Sequence, residues 1–163
     1  AAEPAVERLT RLASDLLDVP MAAVGIVDEE TQSFVACYGV EFGVLAREDT
    51  VCTHAVLEEA VTTIPDLATD PRFEGNAELQ GTDLRAYASA NLTTPAGHAV
   101  GTFCAYDEFP REWTDADREH LRLLAAEAME VLELRRRLHD ADAGEQPGDH
   151  TPDIASTSGG EPR

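Results

Sequence analysis

Hydrophobic positions along the chain change period several times, and each change marks an element. Val6, Leu9, Ala13 and Leu16 recur at spacings of three and four, with Leu12 and Leu17 widening the stripe. That is the apolar face of an amphipathic helix over residues 3–18, ended by Val19-Pro20 because proline cannot continue a helix. Met21 to Val27 is short, apolar and bounded by polar residues, the mark of a buried strand. Asp28-Glu29-Glu30 turns the chain. Ser33 to Tyr38 then alternates with Phe34, Ala36 and Tyr38 on one face, so the two segments form an antiparallel hairpin. Gly39 to Asp49 reads as a loop. A short helix starts near Asp49 or Thr50, either of which can cap it, and carries Cys52, His54, Ala55, Val56 and Leu57. Val61 to Ile64 is a brief strand, broken by Pro65-Asp66 and again by Asp70-Pro71.

From Arg85 the alternation is clean. Ala86, Ala88, Ala90 and Leu92 share one face, and Arg85, Tyr87, Ser89 and Asn91 the other. Pro95-Ala96-Gly97-His98 turns the chain into a further strand, Ala99 to Asp107. Thr114 caps a final helix, with Asp117 placed for a capping box. This helix runs to about Leu138 with Arg135, Arg136 and Arg137 at its negative end. Leu121, Leu124, Ala128, Val131, Leu132 and Leu138 form a broad apolar arc, and Leu123 and Leu134 a second stripe outside it. One buried face would not need both. The domain therefore spans residues 1–138. Residues 139–163, rich in Gly, Pro, Asp, Ser and Thr, read as a disordered acidic tail.

Charge narrows the function classes. The chain has 163 residues, 32 of them acidic and 12 basic, for a net charge of −20, and every basic residue is Arg. A nucleic-acid binder needs a basic patch, and an anionic membrane would repel this chain, so neither partner is expected. Such acidity suits a very salty cytoplasm, where the Debye length of about 3 Å at molar salt makes self-repulsion tolerable. On that reading, folding needs salt. No run reaches the roughly 20 apolar residues of a membrane span. The first residues, Ala1 to Val6, lack the pattern of a signal peptide. Cys37, Cys52 and Cys104 are odd in number and widely spaced, which is no disulfide framework. A cytoplasmic protein with free thiols is expected.

Several short motifs share one order and spacing. Val51-Cys52-Thr53-His54-Ala55-Val56-Leu57 is followed by Thr63-Ile64-Pro65-Asp66, then Asp70-Pro71-Arg72-Phe73 and Asn76. Tyr87-Ala88, the run from Gly97 to Tyr106, Pro110-Arg111 and Leu132-Glu133-Leu134-Arg135 complete the set. Over about residues 5–138 this pattern resembles the GAF domain family. The resemblance implies an α+β fold of the GAF and PAS type. Its central antiparallel sheet has five or six strands, with the terminal helices on one face and short helices and loops enclosing a pocket on the other. It also implies a sensory or regulatory module that binds a small molecule or partner and forms a homodimer through its terminal helices. Asn91 departs from the Pro of many relatives of this subtype, and no cyclic-nucleotide motif matches.

The candidate ligand-binding residues are Cys52, Asp66, Arg72, Phe73, Tyr87, Ser89 and Asn91. Asp66, Asp70 and Arg72 either face a ligand or hydrogen-bond their own turns, as Asp does beside Pro. Phe73 suits a core plug better than a stacking surface. Tyr87, Ser89 and Asn91 either face a ligand or form a solvated sheet face. Cys52 lies in the first turn of its helix, where the dipole favours a thiolate. Relatives that reduce free methionine sulfoxide use cysteines around this pocket, and a covalent tetrapyrrole would need the same residue. No resolving thiol follows Pro65-Asp66, so catalysis is not expected. Cys52 and His54, two apart on a helix, point away from each other, and no second pair completes a zinc site, so no metal is expected. A ligand-free dimerisation scaffold is the remaining alternative.

Overall fold

Secondary structure follows the hydrophobic periods through most of the chain. The computed structural model describes residues 3–41, 45, 46, 51, 60–76, 79 and 82–144. Helix α1 is Pro4–Leu17. Strands β1 (Met21–Val27), β2 (Thr31–Tyr38), β3 (Leu45–Ala46) and β4 (Val61–Ile64) follow. A 3-10 turn, Pro71–Phe73, precedes β5 (Ala86–Thr93) and β6 (Ala99–Asp107), and helix α2, Asp115–Gly144, comes last. The strands form one antiparallel sheet in the order β3-β2-β1-β6-β5-β4. The N-terminal and C-terminal halves of the sheet meet along β1–β6, where Met21–Ile26 pairs with Tyr106–Gly101. The expected α+β architecture is present.

Helices α1 and α2 pack on one face of this sheet. Val6, Ala13 and Leu17 of α1 and Leu121, Leu124, Ala125 and Ala128 of α2 cover Ala22, Val24, Ala86, Ala88, Ala90, Leu92, Phe103 and Ala105. The small alanines let the helices approach closely. The opposite face carries a second cluster built from Met21, Ala23, Val51, Ile64, Leu67, Phe73, Leu84, Tyr87, Cys104 and Tyr106.

Three details depart from the hydrophobic pattern. First, the buried stripe of α1 is Val6, Thr10, Ala13, Ser14 and Leu17, while Leu16 is 46% exposed. Two hydroxyls can face the core because each bonds to backbone: Thr10 Oγ1 donates to Glu7 O at 2.6 Å and Ser14 Oγ to Val19 O at 2.5 Å. Second, Phe34 and Ala36 lie on opposite faces. Val24 pairs with Ala36 but Gly25 pairs with Phe34, so Val35 is an extra, bulged residue and the alternation flips there. Third, α2 continues past Leu138 to Gly144, so residues 139–144 are helix and not tail. Arg136 and Asp140, one turn apart, form a 2.8 Å ion pair that supports this extension. Residues 145–163 lie outside the described residues.

Two of the helix ends, the start of α2 and the end of α1, have defined caps. Thr114 N donates to Asp117 Oδ2 at 3.0 Å and Asp117 N to Thr114 Oγ1 at 3.1 Å, the expected capping box of α2. At the other end of α1, Asp18 takes the left-handed conformation with φ 53°. An L side chain there costs about 1 kcal/mol that glycine avoids. Its carboxylate also sits at the negative end of a helix dipole. Asp18→Gly should therefore stabilise the protein by about 1 kcal/mol in denaturant titrations. Lower stability would show that the carboxylate holds the turn instead.

Candidate functional site

The sheet face opposite the helices is organised in rows set by strand register. Met21, Tyr106, Tyr87 and Ile64 form an apolar row across β1, β6, β5 and β4. Cys37, Ala23, Cys104, Ser89 and Thr62 form the next. Phe34, Gly25, Thr102 and Asn91 form the third, with Gln32 beside them one pleat along β2. Tyr87 and Tyr106 are both fully buried, and their rings meet edge to face at 5.1 Å. Cys104 Sγ donates to Ala23 O at 3.3 Å.

Polarity appears where a core would ordinarily be apolar. Gln32 and Thr102 are fully buried, and Ser89 is 1% exposed. Both amide atoms of Gln32, the hydroxyls of Thr62, Ser89 and Thr102, and Asn91 Oδ1 are buried without a hydrogen-bond partner. Leaving such a group unpaired costs about 1–3 kcal/mol, so six of them on one face is an unusual concentration. Tyr87, Ser89 and Asn91 thus converge on one buried surface, and it is not a solvated sheet face. Gln32, Thr62 and Thr102 are absent from the sequence-derived set. Their signal is a polar residue at a register position between apolar ones, visible only once the strands are paired.

Asp66, Asp70 and Arg72 lie to one side, beyond the apolar row. Asp66 Oδ1 accepts from Ala68 N at 3.0 Å, and both its oxygens accept from the Arg85 guanidinium at 2.8 and 2.7 Å. That bidentate pairing holds the Asp66 carboxyl below the usual carboxylate range. Asp70 caps the 3-10 turn through Arg72 N and grips the Arg72 side chain at 2.7 Å, which lowers its pKa in the same way. Both carboxylates thus build their own turns, and Arg85 is the partner that the sequence left unassigned. Phe73 is 4% exposed, packed into the second core, with the Arg72 guanidinium 5.4 Å from its ring. A groove of about 520 Å³ beside them is lined by Asp70, Phe73, Asn76, Leu84 and Arg85. Cys52 and His54 lie outside the described residues. Among the described residues, no three His, Cys, Asp or Glu side chains are placed to share a metal ion. No helix among them is long and apolar enough to cross a membrane.

Comparison with known proteins places this arrangement. The GAF domain family pattern matches residues 2–132. A cyclic di-GMP phosphodiesterase of Pseudomonas aeruginosa is 33% identical over 111 residues, which is 68% of this chain and 19% of that protein. The chain therefore spans about a fifth of that relative's length. The crystal structure of the blue-light-absorbing form of the Thermosynechococcus elongatus PixJ GAF domain superposes with a TM-score of 0.69 at 21% identity, covering 86% of this chain and 90% of that one. The free methionine-R-sulfoxide reductase of Neisseria meningitidis, in complex with its substrate, superposes with a TM-score of 0.68 at 15% identity, covering 82% and 78%. At those identities the likeness is one of fold. The match over residues 2–132, with a sheet whose face opposite α1 and α2 carries a second, partly polar core, assigns the chain to the GAF domain family.

Proposed function

We propose that this GAF domain is a noncatalytic, cytoplasmic sensory or regulatory module of signal transduction. It takes a small molecule on the polar rows of the sheet face opposite the two terminal helices and dimerises through the outer faces of α1 and α2. The observation that carries this reading is the group of unpartnered buried polar atoms on Gln32, Thr62, Ser89, Asn91 and Thr102. A ligand that pairs with them removes their cost, and binding can then favour one packing of the sheet against its helices over another. Leu12 and Leu16 on α1 and Leu123, Leu134 and Leu138 on α2 are 45–60% exposed, which supports the helix-mediated dimer. The acid coat suits a salt-rich cytoplasm. The signalling context draws on the phosphodiesterase relative.

Native mass spectrometry of the protein isolated from its own host reads both halves of the proposal. The expected spectrum is a dimer carrying a discrete small-molecule mass that is lost on denaturation. A monomer removes the dimer, and a bare dimer favours a ligand-free scaffold. A thiol enzyme on Cys52 is the competing reading, suggested by the likeness to the methionine sulfoxide reductase. It requires that Cys52→Ser abolish reduction of free methionine sulfoxide by the intact protein; the expected outcome is no activity above background in either form.

A further inference from the structure

Resting on that reading, we propose that the ligand is a neutral heterocyclic lactam or carboxamide whose edge offers both donors and acceptors, recognised by Gln32, Thr102 and Asn91. The Gln32 amide presents a donor, Nε2, and an acceptor, Oε1, both buried and both unpartnered. A lactam edge, N–H beside C=O, answers both at once. Asn91 Oδ1 accepts only, so it requires a second ligand N–H. The hydroxyls of Thr102, Ser89 and Thr62 adapt to either role. A ligand with acceptors alone leaves Asn91 and Gln32 Oε1 unanswered, and an apolar one leaves all of them.

Charge sets the second limit. The side chains of the two polar rows, together with Gln32, carry no formal charge. Asp66, Asp70, Arg72 and Arg85 are already joined in ion pairs beyond the apolar row. An anion buried on this face would therefore meet no countercharge among the described residues, which disfavours it strongly.

Gly25 fixes the placement. A Cβ on Gly25 would lie 2.6 Å from Gln32 Nε2 and 3.3 Å from the Phe34 ring. The amide thus lies over the middle of β1, on the side of Thr102, because Gly25 has no side chain. Strands stand about 4.8 Å apart, so the row from β2 to β5 spans about 14 Å, the reach of a substituted one- or two-ring compound.

The test uses three probes: uracil and hypoxanthine as neutral lactams, and orotate, which is uracil bearing a carboxylate. Nitrogen-15 spectra of the full chain report the side-chain NH₂ signals of Gln32 and Asn91. At millimolar concentration the neutral probes should shift both signals, and orotate neither. Gln32→Met keeps the length of the side chain and removes its amide; it should weaken neutral-probe binding at least tenfold and raise the Tm of the ligand-free protein. Gly25→Ala, which displaces only the tip of Gln32 and its ring neighbour, should weaken binding similarly in a folded protein. Binding of orotate as well as uracil, or binding unaffected by Gln32→Met, overturns the ligand class and leaves the module reading standing. A fall in Tm for Gln32→Met shows that the amide is already satisfied and overturns the class as well. If none of the probes shifts a signal on this face, the class falls; if no co-purifying mass is found either, the reading it rests on falls with it.

Discussion

Replacing Gly101 by alanine is expected to cost about 3 kcal/mol or more, because the clash is with backbone. A Cβ at this position would run into the Gly25 carbonyl oxygen and would lie 3.0 Å from both Gly25 C and Ile26 Cα. None of these atoms can swing aside as a side-chain tip can. The two halves of the sheet meet where Ile26 pairs with Gly101 and Gly25 with Thr102, so relief means parting β1 from β6. Denaturant titration in concentrated KCl should show a large fall in midpoint with an unchanged slope. Gly144 provides the control: a Cβ there meets nothing within 4 Å, and Gly144→Ala should stay within about 0.5 kcal/mol of the parent. Equal effects at the two sites would exclude the steric account.

Arg111 carries the second large effect. Its Nη1 donates to Asp18 O and its Nη2 to Leu17 O, both at 2.9 Å, closing carbonyls that the end of α1 leaves unpaired. The same guanidinium lies 4.6 Å from the centroid of the Trp113 ring and reaches Asp107 at 3.4 Å and Asp117 at 4.0 Å. Trp113 in turn donates Nε1–H to Ile64 O at 3.2 Å. One side chain thus joins the last turn of α1, the end of β6 and the first turn of α2. Arg111→Met, which keeps the aliphatic stem, should lose about 2–3 kcal/mol once partial exposure is allowed for. Arg111→Lys should recover less than half, since an ammonium cannot offer two parallel N–H groups to adjacent carbonyls. Hydrogen exchange at Val19, whose N–H bonds to Ser14 O, should accelerate in both variants. Full rescue by lysine would mean that charge alone matters.

What could be read from the residues in order was whatever depends on near neighbours. The alternation of β5, the capping box of Thr114 and Asp117, and the breaks at Pro65 and Pro71 all involve groups within a few positions. The bulge at Val35 does not. It arises where β1 brings Gly25 against Phe34, and the alternation of Phe34, Ala36 and Tyr38 carries no trace of it. Arg111 was legible only as part of a family pattern, because its carbonyl partners lie 93 and 94 residues earlier. The candidate site was half visible. Tyr87, Ser89 and Asn91 follow from alternation within one strand. Gln32 was hidden because the strand was expected to begin at Ser33, and Thr102 and Thr62 because a threonine in an apolar strand is unremarkable until its neighbours are known. The α2 extension leaves no mark in the composition, since Asp and Gly after Leu138 resemble a tail, while the Arg136–Asp140 pair stabilises a further turn.

The helix pair has a mechanical consequence. Arg111 ties the end of α1 to the start of α2, and Glu3, just before α1, meets Arg135 at 2.8 Å. The two helices are therefore antiparallel and joined near both ends of the shorter one. Past Arg135 nothing of α1 lies alongside, and every residue from Leu134 to Gly144 is exposed. Those last nine residues make an arm of about 13 Å. A tilt of about 10° with Arg135 as fulcrum sweeps its tip through roughly 2 Å, while the pinned segment moves hardly at all.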